Sequence, residues 1–367
     1  MGPHRDRPPV IAEIVARWAA TLRRAAQSRA DFADEAEVAD DLGFGGILRR
    51  LGRTKSSPRS ESEDVYAALW DGTLADASRE VCTILERAGI PFFFYKGGAM
   101  LGREYAPGDV FMADLDLFVP LGRSKEAVTV LGTGGWTPRP PVGGPSMKGG
   151  PGTTLLRART GSAVRDVEID LHWRTAPVTR LFPWRGSELP GAVWSGVDTS
   201  GLSPRPRAGH HAALLVHHLV RHDGLHVRSL FDLSLLWTSA AGPEEQTAFR
   251  DLARRLGVER EAGRISNAFS RDLGLEPLVW SEQADRGLNY WVDLALDSAE
   301  GEFERMTSAR IRRRIRTIDA PILGTVGLLR EGLFPPPEYL AWRWPETARP
   351  FRLIRHLTRQ LSRGVDA

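Results

Sequence analysis

The chain has 367 residues, 42% hydrophobic and 26% charged, with a formal net charge of only +3, the profile of a globular chain and not of a disordered or fibrous one. One cysteine, Cys82, excludes an internal disulfide and fits a reducing compartment, while no apolar run approaches the roughly 20 residues that span a bilayer. The small basic excess permits an anionic partner without requiring one, and the start MGPHRDRPPVIAEIVARW has no signal-peptide pattern, so a cytoplasmic location is expected.

Val10, Ile14, Val15, Trp18 and Leu22 recur at helical spacing and predict an amphipathic helix from Val10 to about Ala30. Between Arg49 and Glu63 the polar run LGRTKSSPRSESE predicts a loop. A second helix is expected from Asp64 to Ala88, with Val65, Leu69, Leu74, Ala77, Val81, Ile84 and Leu85 buried and Gly89 at its end. Pro91 to Tyr95 is an aromatic run expected to form a short buried strand. Ala99–Tyr105 then predicts a helix, Ala113–Val119 a second strand and Ser124–Leu131 another helix. Pro and Gly make up over half of Thr137–Gly152, which predicts no regular element there. Thr154–Arg159 and Val164–Trp173 are β-like runs around Thr160-Gly161-Ser162, the pattern of a hairpin. Beyond Arg207 the segments AGHHAALLVHHLVRH and LHVRSLFDLSLLW are helical in pattern. The fold class expected is α+β: a small mixed sheet flanked by helices, with an N-terminal helical segment and linker (1–60), a core (61–200) and a helical C-terminal half (201–367).

Asp114 and Asp116, in ADLDLFV, would lie on one face of a strand because side chains alternate with period 2. Adjacent carboxylates repel unless protonated or bridged by a cation, and Mg²⁺ takes such oxygen ligands while keeping room for substrate phosphates. VEIDLHW offers Glu168 and Asp170 on one strand face, with His172 following in the same phase. If the two strands pair, Asp114, Asp116 and Asp170 form a cluster suited to two-metal catalysis, with Glu168 the alternative third ligand. Gly97-Gly98, between a strand and a helix, lets backbone approach a phosphate, and the helix start supplies free N–H groups.

The ordered run KGGAMLGREY, ADLDLFV and IDLHW, followed by a helical half holding H…RH…FDLSLLW, resembles the bacterial uncharacterised nucleotidyltransferase family of the DNA-polymerase-β-like superfamily. The resemblance covers about Asp64 to Trp237. It implies transfer of a nucleoside monophosphate from an NTP, ATP foremost, to an acceptor hydroxyl or phosphate with release of pyrophosphate. It implies Mg²⁺, or Mn²⁺ in its place, on Asp114, Asp116 and Asp170, with Asp170 also helping to deprotonate the acceptor. Gly97 and Gly98 would hold the triphosphate, and Lys96, His172 and His222 would approach the nucleotide. Relatives carry an arginine a few residues before the first Asp where this chain has Val110-Phe111-Met112-Ala113, so Arg103 or Arg174 would substitute.

Other readings compete for individual residues. His218 and His222 stand at i, i+4, but the remaining ligands of a zinc-protease signature are missing, which favours a face of half-buried histidines across His210, His211, His217, His218, His222 and His226. Asp232 is expected to pair among the helices. RIRRRIR (Arg310–Arg316) reads as a solvated helix face or an anion patch, and Gly143–Gly152 as a connection or a lid. Phe182, Trp173 and Trp184 could stack a base or fill the core. No sequence-specific nucleic-acid module is recognisable. Two rival functions remain: a catalytically weak, antitoxin-like binding protein, which the missing arginine favours, and a metal-dependent glycosyltransferase, which would need a larger nucleotide-binding half before Asp114.

Overall fold

The computed structural model describes residues 9–27, 45–50, 58–106, 108–110, 112–138, 152–157, 166–175, 188–200, 203–221, 227–279, 287–290, 292, 340, 347–355 and 358. Helices α1 (Pro9–Gln27), α2 (Gly45–Arg50) and α3 (Pro58–Arg87) precede the first strand. In α1 the expected stripe is buried at Ile14, Val15, Trp18 and Leu22. The run expected to be a loop contains the first turns of α3, because Pro58 needs no hydrogen-bonded N–H at a helix start. The buried stripe of α3 is Trp70, Leu74, Ala77, Val81 and Leu85, spaced by three or four. Val65 and Leu69, expected inside, are each 61% exposed: their spacing puts them on the stripe of Gly72, Asp76, Arg79 and Thr83, the exposed side of α3.

Strands β1 (Phe93–Tyr95), β2 (Leu115–Phe118), β3 (Thr137–Pro138), β4 (Gly152–Arg157) and β5 (Val167–His172) form one mixed sheet in the order β1-β2-β5-β4-β3. The central β2–β5 pair is parallel and the others antiparallel. β4 and β5 thus pair as the predicted hairpin does, although 158–165 lie outside the described residues. Thr137 and Pro138, expected to be irregular, make the sheet's edge, a place where a proline's missing N–H is tolerated. The helix after β1 is a single turn, α4 (Gly97–Met100), and stops short of the expected Tyr105 because Gly102 turns the chain at φ 75°. α5 (Ser124–Thr133) follows β2.

After β5 come α6 (Gly191–Ser195) and a two-stranded hairpin of β6 (Val197–Asp198) and β7 (Arg205–Pro206). The Phe94 N–H donates to the Pro204 carbonyl at 2.7 Å, tying this hairpin to β1. The helical half contains α7 (Ala208–Arg221), α8 (Val227–Trp237), α9 (Pro243–Arg255) and α10 (Glu259–Ala268). α7 and α9 approach so closely that a Cβ on Gly209 would lie 2.0 Å from the Glu245 carbonyl oxygen. α1 packs on α8: the Trp18 indole donates to Ser234 Oγ at 3.0 Å and meets the Phe231 ring edge-on. No helix among the described residues is long and apolar enough to cross a membrane.

The histidines of α7 are more deeply placed than the sequence suggests. His210, His211, His217 and His218 are 0–6% exposed, because α7 is covered by α8 and α9. Burial, with Arg205 and Arg103 nearby, pushes His211 down to about 3.

Asp71 of α3 is fully buried and accepts the Gly108 N–H at 2.8 Å. Burial lifts its carboxyl from 3.8 to about 7. The folded protein therefore keeps a proton that the unfolded chain gives up, so stability falls as pH rises from 3.8 toward about 7. Asp71→Asn keeps an oxygen for Gly108 and removes this loss. In urea unfolding the variant should gain on wild type by roughly 2–4 kcal/mol between pH 4 and pH 8. Parallel pH curves would count against a neutral buried Asp71.

Candidate active site

The site is built by the parallel β2–β5 pair. Their register sets Asp116 opposite Asp170, and Asp116 also faces Tyr95 across the antiparallel β1–β2 pair. In β5 the alternation is complete: Val167, Ile169 and Leu171 point into the core, and Glu168, Asp170 and His172 share the other face. Ligand atoms of Asp116, Asp170 and His172 lie within 4.8 Å of one another. Two carboxylates and an imidazole at that spacing can hold a divalent ion, so the donor set fits the metal that the sequence suggested.

Lys96 closes one side of this cluster. Its Nζ is 2.7 Å from Asp116 Oδ1, and His172 Nε2 is 3.1 Å from the same oxygen. Burial penalises the Lys96 ammonium, yet Asp116 beside it holds its pKa above the ordinary lysine value. Burial also works against the Asp116 charge, but Lys96 and His172 outweigh it and keep that carboxyl below its usual range. Asp170 is fixed differently: the Thr154 hydroxyl donates to its Oδ1 at 2.7 Å.

Asp114 stands just before β2 and outside the 4.8 Å cluster, because the strand ladder begins only at Leu115. It is close enough to feel the others. Burial, then repulsion from Asp116 and Asp170, pushes its carboxyl up to about 7. Glu168 is on the face of Asp170 but pairs in register with Leu156, two residues from the Asp116–Asp170 rung.

Gly97 and Gly98 are both buried at the start of α4. A Cβ on Gly97 would come within 2.8 Å of Met112 Sδ and 3.0 Å of a terminal nitrogen of Arg228. Gly97→Ala should therefore lower stability by about 1–3 kcal/mol in urea unfolding, since both neighbours must shift. An unchanged midpoint would mean that this packing yields freely. Lys96, just before the glycines, is the one non-glycine with positive φ among the described residues, at φ 54° and ψ −145°. Such a backbone costs on the order of 1–3 kcal/mol.

Of the two arginines expected to substitute for the missing one, Arg103 pairs with Asp198 of β6, and Arg174 lies in a partly buried position that lowers its pKa. His222, His226, Phe182, Trp184, the Arg310–Arg316 run and 143–151 of the Gly-rich stretch lie outside the described residues. Trp173 is a core residue.

The profile of the family described as uncharacterised nucleotidyltransferase matches residues 63–266, more than half of the chain. The chain belongs to this uncharacterised nucleotidyltransferase family. No curated protein matches it. A solved structure with similarity is that of an antigenic nucleotidyltransferase-like protein from Paracoccidioides brasiliensis, 11% identical over 55% of this chain and 93% of that one. Its TM-score of 0.30 is too low to carry an argument.

The matched span of this nucleotidyltransferase-family chain contains two site neighbours that the sequence did not single out, Thr154 and Arg228. Thr154 could have been found from the hairpin, whose register sets it opposite Asp170. Arg228 carried one signal, its i, i+4 spacing to Asp232. Beside His172 stand Tyr95 and Phe118, with ring centroids 5.6 and 5.3 Å away, so the imidazole sits against an aromatic wall.

Proposed function

We propose that the chain is a divalent-ion-dependent nucleotidyltransferase of the DNA-polymerase-β-like type. It would transfer a nucleoside monophosphate from an NTP, ATP foremost, to an acceptor hydroxyl or phosphate and release pyrophosphate. The observation that carries this reading is the Asp116–Asp170 rung with His172 on its flank, next to the Lys96-Gly97-Gly98 turn. Family membership supports it at the level of the transferase class.

Asp116 and Asp170 would hold the ion, Mg²⁺ or Mn²⁺, with Asp114 at the mouth of the cluster and His172 as a nitrogen donor. When bound, the ion supplies charge neutralisation at the transferring phosphate. Gly97 and Gly98 would offer backbone N–H groups to the triphosphate, and Lys96 and His222 would contact the nucleotide. Asp170, whose Oδ1 is already engaged by Thr154, takes the acceptor proton on its other oxygen. The acceptor oxygen forms a bond to the α-phosphorus as the bond to the β-bridging oxygen breaks, and pyrophosphate leaves with that electron pair. Catalysis in such a site is mainly positioning and charge stabilisation. In this reading 61–200 form the catalytic core, 1–60 and 201–367 are its helical flanks, and the protein works in the cytoplasm.

The glycosyltransferase alternative fits less well, because among the described residues the strand before Asp116, β1, runs antiparallel to β2, where that reading would need a larger nucleotide-binding half. The test is transfer of label from NTP labelled at the α-phosphate, offered with Mg²⁺ and fractionated acceptors. The reading expects α-label on the acceptor and γ-label released as pyrophosphate. γ-label on the acceptor would mean phosphoryl transfer instead. Nucleotide binding without any transfer would favour the antitoxin-like role.

A further inference from the structure

Lys96 pairs two unusual features. It is held in a backbone conformation that side chains rarely adopt, and no side-chain cap to α4 accounts for it. What the conformation achieves is direction: the ammonium is set on Asp116 Oδ1 at 2.7 Å, on the oxygen that His172 also approaches. That oxygen belongs to the Asp116, Asp170 and His172 cluster. A divalent ion held there would share the Asp116 carboxylate with the ammonium, and two cations at short range repel strongly in a partly buried site. Asp116 therefore cannot serve both partners at full strength.

We propose that Lys96 is a tethered counter-ion, holding the Asp116 carboxylate when no divalent ion is bound and releasing it when one is. Ion binding and the freeing of the Lys96 amine for the nucleotide phosphates become one exchange. The inference rests on the metal site put forward above and adds the residue that gates it. In this arrangement the chain supplies its own cation to Asp116, at the expense of a strained residue.

The test is Mn²⁺ alone, added to the metal-free full chain, with free Mn²⁺ counted by electron paramagnetic resonance. Wild type is compared with Lys96→Met and with Lys96→Gly. Glycine adopts φ 54° without strain, so the second variant guards against a folding failure. Both variants should bind Mn²⁺ about tenfold tighter or more, and Mn²⁺ should raise their unfolding midpoint by more than it raises that of wild type. Wild type that binds Mn²⁺ while folded Lys96→Gly binds no tighter overturns the exchange and leaves the metal site standing. No Mn²⁺ bound by wild type or by either folded variant overturns both.

Discussion

Asp116→Asn lowers the affinity for nucleotide in the presence of Mg²⁺ by on the order of 100-fold or more, the largest combined effect on binding and stability expected at the site. Asp116 joins three parts of the site: it pairs in register with Asp170, accepts from Lys96 and lies beside His172. Asn keeps the shape and one oxygen but loses the charge that a hard cation needs. It also leaves Lys96 without its partner, so stability falls by about 1–3 kcal/mol. Asp170→Asn separates the two effects. Its carboxylate is held by Thr154 and, among the described residues, by no lysine, so binding should fall comparably while urea unfolding changes little. Calorimetry with each NTP, with and without Mg²⁺, reads the first quantity. Equal affinity in wild type and Asp116→Asn would remove Asp116 from the site.

Asp232→Ala costs about 3–5 kcal/mol of stability, because it removes one partner of a buried ion pair. Arg228 Nε bonds Asp232 Oδ1 at 2.9 Å, with side chains 18% and 3% exposed. The Tyr105 hydroxyl donates to the same carboxylate oxygen, and the Arg228 guanidinium lies over the Tyr105 ring. Burial works against the Arg228 charge, and Asp232 and Tyr105 restore it. Tyr105→Phe removes only a neutral donor and should cost about 1–2 kcal/mol. Arg228 also abuts Gly97, so damage at Asp232 reaches the glycine turn. Urea unfolding at constant pH measures both variants. A loss below about 1 kcal/mol for Asp232→Ala would mean that Arg228 finds water instead.

The parts of this arrangement that depend on local rules were legible in the sequence. Period 2 put Glu168, Asp170 and His172 on one face, and the structure has them there. Helical spacing found the buried stripe of α1 and most of that of α3. The pairing of β2 with β5, on which the cluster depends, was only a condition in the sequence, because no local pattern states which strands meet. Asp114 illustrates the limit from the other side. It shares the phase of Asp116, but the ladder starts one residue after it, and phase says nothing about where hydrogen bonding begins. Lys96 on Asp116, Thr154 on Asp170 and Arg228 at Gly97 are contacts across 20, 16 and 131 residues, set by packing that spacing cannot encode. Val65 and Leu69 failed for a different reason: their apolar character was visible, but their helical phase sets them with Asp76 and Arg79 on the exposed side of α3.

The most direct measurement is diffraction from crystals grown with Mn²⁺ and a non-hydrolysable NTP analogue, recorded for anomalous scattering from manganese. The account predicts a peak within about 2.0–2.3 Å of carboxylate oxygens of Asp116 and Asp170, with the triphosphate against Gly97 and Gly98 and the Lys96 amine moved off Asp116. A nucleotide bound elsewhere, or one bound with Lys96 still on Asp116 and no manganese at the Asp116–Asp170 rung, would contradict it.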